Sequence, residues 1–176
     1  AGSGRACKQA QVHGLRCLEG SASLGSLFQT NRPMVLKLRD NDGSDFYVTV
    51  TAMQGDTATL VVGAEIRTVD VKEIASRWVG EYTLLWRPPK NYHGEIKPGD
   101  RGDEILWLEK QLVRVQGLEV KPRKAAVYDE DLVRRVKEFQ RSAGLVPDGI
   151  AGARTLIHLS TAVGDGEPAL IGGRGN

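Results

Sequence analysis

Gly99-Asp100-Arg101-Gly102-Asp103-Glu104-Ile105, then Phe139-Gln140-Arg141-Ser142-Ala143-Gly144-Leu145, then Asp148-Gly149-Ile150-Ala151-Gly152-Ala153-Arg154-Thr155 with Leu159 beyond, punctuate the second half of this chain. Between these landmarks the apolar residues recur at helical spacing, with Ile105, Leu108, Leu112 and Val115 on one face and Leu132, Val136, Phe139 and Ala143 on another. The spacing predicts a helix over about 103 to 116 and a second that Asp129 N-caps and Gly144 stops as the C′ residue. Val146-Pro147-Asp148-Gly149 has proline second and glycine fourth, which predicts a type I turn. Gly149 and Gly152 then allow a tight approach to a third, short helix carrying Leu156 and Leu159.

Upstream the period changes from 3.6 to two. Arg87 to Pro98 holds three prolines and reads as a linker. Before it, Met34, Leu36 and Leu38 alternate with Val35, Lys37 and Arg39, and Phe46, Val48 and Val50 alternate with Tyr47, Thr49 and Thr51. Asp40-Asn41-Asp42-Gly43 makes the hairpin turn between them. Thr57 to Val62 and Ile66 to Val69 continue the strands, Asp70 N-caps a helix over Val71 to Ser76, and Tyr82, Leu84 and Trp86 mark a last strand. Short helices are expected over about residues 5 to 13, stopped by Gly14, and over Leu24 to Gln29.

The bulk numbers exclude several classes. Lysine and arginine number 24 against 22 acidic residues, a net charge of +2, and neither half is a polycation, so the footprint expected for a nucleic-acid partner is missing. No apolar run reaches the length of a membrane span, and this stretch requires no membrane contact. Ala1-Gly2-Ser3-Gly4 reads as the scar of excision from a longer protein. Cys7 and Cys17, ten apart, fit no zinc pattern, since no second pair exists and His13 stands alone between them; no metal and no cofactor is expected. The pair is compatible with a disulfide if a helical turn ending at Gly14 folds the chain back; two free buried thiols are the alternative.

From Lys97 to about Thr161 the motifs resemble the three-helix peptidoglycan-binding domain found at the ends of many cell-wall hydrolases. The F-Q, G-L and D-G-I-x-G-x-x-T combination is what carries the resemblance. Glu109 stands where that family usually has Gln, and Lys121-Pro122-Arg123-Lys124 looks like an insertion. The resemblance implies that the landmark residues build a frame and that polar groups beside it meet the carboxylates and amides of peptidoglycan. The expected binding residues are Gln140, Asp148, Arg154 and Thr155, near the junction of the second and third helices, with Trp107 off the apolar face as a sugar-stacking platform. The plainer alternatives are a solvated Arg154, a Thr155 bonded to local backbone, and a Trp107 packed against other protein.

Val69 to Trp86, with its helix, Trp78-x-Gly80 and closing strand, is similar to the papain-like peptidases that trim double-glycine leaders. In those enzymes a cysteine at the start of the first helix is the nucleophile and a strand-borne histidine is the base. Cys7 occupies the first position, but Phe46 stands at the second, and no histidine occurs between His13 and His93. A thiolate needs a partner that lowers its pKa and shuttles its proton. His13 lies on the far side of the same helix, so the expectation is a non-catalytic domain, with a cysteine peptidase or cell-wall hydrolase as the alternative.

The pairing of the two halves, with the phrases Asn31 to Leu36 and Trp78 to Pro89, resembles the periplasmic region of the GspA/ExeA family of type II secretion assembly factors. That family has an ATPase domain and one membrane helix ahead of this region. The resemblance implies a periplasmic, non-enzymatic scaffold, part of an inner-membrane protein, that binds peptidoglycan and a GspB-type partner, and through them serves the secretin. The expected fold is α+β: a degenerate papain-like domain with an antiparallel sheet over residues 1–90, a linker over 91–97, an all-α three-helix domain over 98–163 and a disordered tail over 164–176. Tyr47, Trp86 and Tyr92 are the aromatic candidates for a partner-binding face, with core packing as the alternative and the favoured one for Trp86.

Overall fold

The computed structural model describes residues 3–117, 126–164 and 168–170. The chain divides into two units, one running to Arg87 and including residues 168–170, the other beginning at Pro88. The class is α+β, as expected.

The first unit contains α1 (Ser3–Val12), β1 (Arg16–Ser21), α2 (Leu24–Phe28), β2 (Met34–Arg39), β3 (Asp45–Gln54), β4 (Thr57–Val62), β5 (Glu65–Asp70), α3 (Val71–Arg77) and β6 (Trp78–Trp86). The strands form one antiparallel sheet in the order β1-β6-β2-β3-β4-β5. Period-two alternation decides which side is dry: Met34, Leu36, Leu38, Val48, Val50, Ala58, Leu60, Tyr82, Leu84 and Trp86 are all buried, and Leu27 and Ile74 of the helices are buried with them. Each such leucine or valine taken out of water contributes about 1.5–3 kcal/mol. Asp70 caps α3 by accepting from the Lys72 N–H at 2.7 Å, and Ser23 caps α2 through the Ser26 N–H.

Strand β1 is absent from the sequence expectation. Arg-Cys-Leu-Glu-Gly-Ser has one large apolar residue and no alternation, so its strand character comes from pairing with β6 along the sheet edge. Gly14, with φ of 71°, turns the chain back after α1, and Cys7 is disulfide-bonded to Cys17 with Cα atoms 5.7 Å apart.

The tail and the linker differ from expectation. Leu170 is buried, its N–H donates to the Asn31 carbonyl at 3.2 Å, and its own carbonyl accepts from the Met53 N–H at 2.9 Å. An apolar side chain with both backbone groups satisfied is ordered structure, so the tail has a fixed point on the first unit. Residues 165–167 and 171–176 of that expected tail lie outside the described ones, as does the insertion at 121–124. The stretch 91–97 is part of the second unit: Tyr92 and Ile96 are buried, and Ile96 exchanges backbone hydrogen bonds with Ala151 at 3.2 and 3.0 Å.

The second unit carries α4 (Asp103–Gln116), α5 (Glu130–Ser142) and α6 (Ala153–Val163). Ile105, Leu108, Leu112, Leu132, Val136, Phe139, Leu156, Ile157 and Leu159 form its core. Asp129 accepts from the Leu132 N–H at 3.0 Å, which fixes the start of α5, and Gly144 ends it in the left-handed region at φ of 69°. The opening Gly99 to Gly102 stretch is tied to the segment before α5, with the Gly99 N–H on the Tyr128 carbonyl and the Tyr128 N–H on the Asp100 carbonyl, each at 2.9 Å.

Candidate functional site

The loop between α5 and α6, residues 143–152, is organised from beneath by one side chain. Gln140 sits on the last turn of α5, and only 1% of it is exposed. Its amide nitrogen donates to Asp148 Oδ1 at 2.8 Å, to the Ile150 carbonyl at 3.0 Å and to Thr155 Oγ1 at 3.2 Å. Its oxygen accepts from the Gly149 N–H at 2.9 Å. A buried amide must find partners for two donors and an acceptor, and here the loop backbone supplies the Ile150 carbonyl and the Gly149 N–H while Asp148 and Thr155 add side-chain oxygens. Tyr128 adds a second tie, its phenol donating to the Gly149 carbonyl at 2.6 Å; burial pushes the pKa of that phenol upward, with the Asp148 charge acting in the same direction.

These ties replace the expected type I turn at 146–149. The Asp148 N–H bonds back to the Val146 carbonyl at 2.9 Å, and the Gly149 N–H is taken by Gln140. Gly149 lies at φ of 79°, and a Cβ there would stand 3.0 Å from Val133 Cγ1 and 2.9 Å from Lys137 Cε, so both backbone angle and space require glycine.

The expected binding residues separate into two groups. Gln140 and Thr155 are buried and hydrogen-bonded within the frame, Thr155 with 5% exposed. Asp148 and Arg154 are exposed at the loop and on the first turn of α6, and Asp148 Oδ1 also accepts from the Ile150 N–H at 2.8 Å. Trp107 is half-buried on α4, and Glu109, at the departure noted above, is buried. Sequence reasoning missed Tyr128, whose contact lies 21 positions away and leaves no local signal. It also missed His158, one helical turn beyond Arg154; burial lowers the pKa of its imidazole, and the Arg154 charge lowers it further. The i, i+4 spacing on a helix was the available clue.

In the first unit, Cys7 and Cys17 are joined, so neither is a thiolate in this state. Phe46, at the position where the papain-like resemblance calls for a base, is half-buried and lies across from Leu38. Among the partner candidates, Trp86 and Tyr92 are buried, and Tyr47 is 50% exposed. No group of three or more potential metal ligands occurs among the described residues, and no helix among them is long and apolar enough to cross a membrane.

Comparison with known proteins places both units. Residues 101–159 match the family model described as a putative peptidoglycan binding domain. General secretion pathway protein A of Aeromonas hydrophila is 37% identical over 164 residues, 93% of this chain and 30% of that protein. A putative general secretion pathway protein A of Escherichia coli K12 is 34% identical over 90% of this chain and 32% of its own length. The chain thus spans about a third of these relatives. The crystal structure of a periplasmic domain of the EpsAB fusion protein of the Vibrio vulnificus type II secretion system is 31% identical with a TM-score of 0.58, and the match covers 88% of this chain and 68% of that one.

Proposed function

Since this chain belongs to the type II secretion family that includes general secretion pathway protein A and the EpsAB periplasmic domain, we propose that it is a non-enzymatic peptidoglycan anchor. In this reading it acts in the periplasm as part of an inner-membrane protein. It grips peptidoglycan through the second unit, engages a GspB-type partner, and thereby supports assembly of the secretin.

One observation carries the reading. The loop held by Gln140 and Tyr128 is rigid from below and presents a carboxylate, Asp148, and a guanidinium, Arg154, at its surface. A planar guanidinium forks onto a carboxylate, and a carboxylate accepts from amides or amines, the groups that peptidoglycan stem peptides display. Gln140 and Thr155 serve as positioning residues here, and Trp107 offers a half-buried ring on α4. The absence of turnover follows from chemistry: a nucleophilic cysteine needs a thiolate and a base, and Cys7 is spent in a disulfide while Phe46 has no proton to move.

Incubation with purified sacculi tests both parts. The expected result is protein in the pellet and no soluble muropeptides, with or without reductant. Muropeptide release that depends on Cys7 overturns the anchor reading in favour of a hydrolase.

A further inference from the structure

The side of the sheet opposite its core holds a groove of about 380 Å³, lined by Glu19, Ser21, Val35, Lys37, Tyr47, Glu81 and Thr83 among others. The strand register lays these residues out in two rows. Glu19, Thr83 and Val35 face one another across β1, β6 and β2, and Ser21 is paired with Glu81 as Lys37 is with Tyr47. Small side chains form the floor and long ones the walls. One row further along β1 and β6, Cys17 is paired with Leu85, and the Cys7–Cys17 bond fixes α1 at that end.

Charge decides what fits. Lys37 Nζ lies 3.1 Å from Asp45 Oδ2 and 3.5 Å from Glu81 Oε1, and Arg39 Nε lies 2.9 Å from Asp45 Oδ1. Lys37 and Arg39 are therefore already neutralised. Glu19 makes no ion pair among the described residues, and Glu81, whose side chain is 64% exposed, shares its one cation with Asp45. Among these described side chains the carboxylates Glu19, Asp45 and Glu81 outnumber the cations Lys37 and Arg39, and the half-exposed Tyr47 ring stands at the β3 end. The four strands from β1 to β3 span about 14 Å, which is the reach of about four extended residues.

We propose that this groove docks an extended segment of a partner protein, with a lysine or arginine of that segment seated between Glu19 and Glu81 and a neighbouring apolar side chain against Tyr47. The proposal rests on the partner-binding part of the function given above and assigns it a surface. A mixed carboxylate and phenol groove on a stapled sheet gives a partner charge for register and an aromatic anchor for affinity.

The test uses the whole chain and, as probe, the purified periplasmic region of a GspB-type protein, with binding followed by calorimetry. Wild type is expected to bind, and Glu19→Lys with Glu81→Lys to weaken binding at least tenfold. Tyr47→Ala should weaken it severalfold, and Glu65→Lys on the distant β5 edge should leave it unchanged. Circular dichroism melts are expected to match wild type for each of these surface substitutions. If wild type binds and the double variant binds within twofold of it, the groove is wrong and the partner reading stands. If wild type does not bind, the partner reading falls and the groove with it.

Discussion

The two units secure their shape in opposite ways. The first lays ten apolar strand side chains on one side of a sheet and adds a covalent staple where its edge strand β1 meets α1. The second has a small helical core and secures the loop between α5 and α6 chiefly with one buried amide that touches Asp148, Gly149, Ile150 and Thr155, with the Tyr128 phenol on the Gly149 carbonyl beside it. The sheet spreads its stability over many contacts, whereas the loop concentrates it on two side chains, Gln140 above all. A change at one position should therefore be tolerated in the first unit and damaging in the second.

Gln140→Leu is the sharpest way to break that comparison. It keeps the volume, leaves the Gly149 N–H without its partner and removes the donor shared by Asp148, the Ile150 carbonyl and Thr155 Oγ1, so the second unit should lose about 3 kcal/mol. Amide hydrogen exchange should show the loss in α5, α6 and their loop, with the first unit unchanged. Equal loss in both units contradicts the separation drawn here. Removing the staple comes next. Cys7→Ser with Cys17→Ser opens a loop of about ten residues, and chain entropy puts the cost at about 2–3 kcal/mol, confined to the first unit and reproduced by reduction of wild type. No change on reduction would mean that α1 and β1 are held by packing alone.

The smallest effect is set by pH. His158 has a folded-state pKa below its ordinary value, so the neutral form is favoured in the fold. Its contribution is fully present above the unfolded pKa, near 6.5, and is lost as pH falls through the depressed folded value, because the unfolded chain then binds the extra proton. Melts of the second unit should fall modestly on acidification below pH 6.5, and His158→Gln should flatten that part of the profile. An unchanged slope in the variant assigns the titration elsewhere.

Much of the architecture was legible in the sequence because its signals are local. Alternation at 34–39, 46–51 and 57–62, the Asp70 and Asp129 caps and the Gly144 stop each act within a few residues, and each lies where expected. What was not legible depended on contacts distant in sequence. β1 exists because β6 pairs with it, Leu170 is buried by segments more than 100 positions upstream, and Ile96 is ordered by Ala151. The site shows the same limit. The motif pointed to the loop between α5 and α6, yet Gln140 and Thr155 turn inward there, because a loop built around a left-handed Gly149 needs internal hydrogen-bond partners.

Pelleting with sacculi, comparing wild type, Arg154→Glu and Lys37→Glu, tests the central claim most directly. The account predicts that wild type and Lys37→Glu sediment alike and that Arg154→Glu stays in solution with its melting profile unchanged. Wild type remaining in the supernatant would contradict the anchor itself, and Arg154→Glu sedimenting like wild type would remove Arg154 from the binding surface.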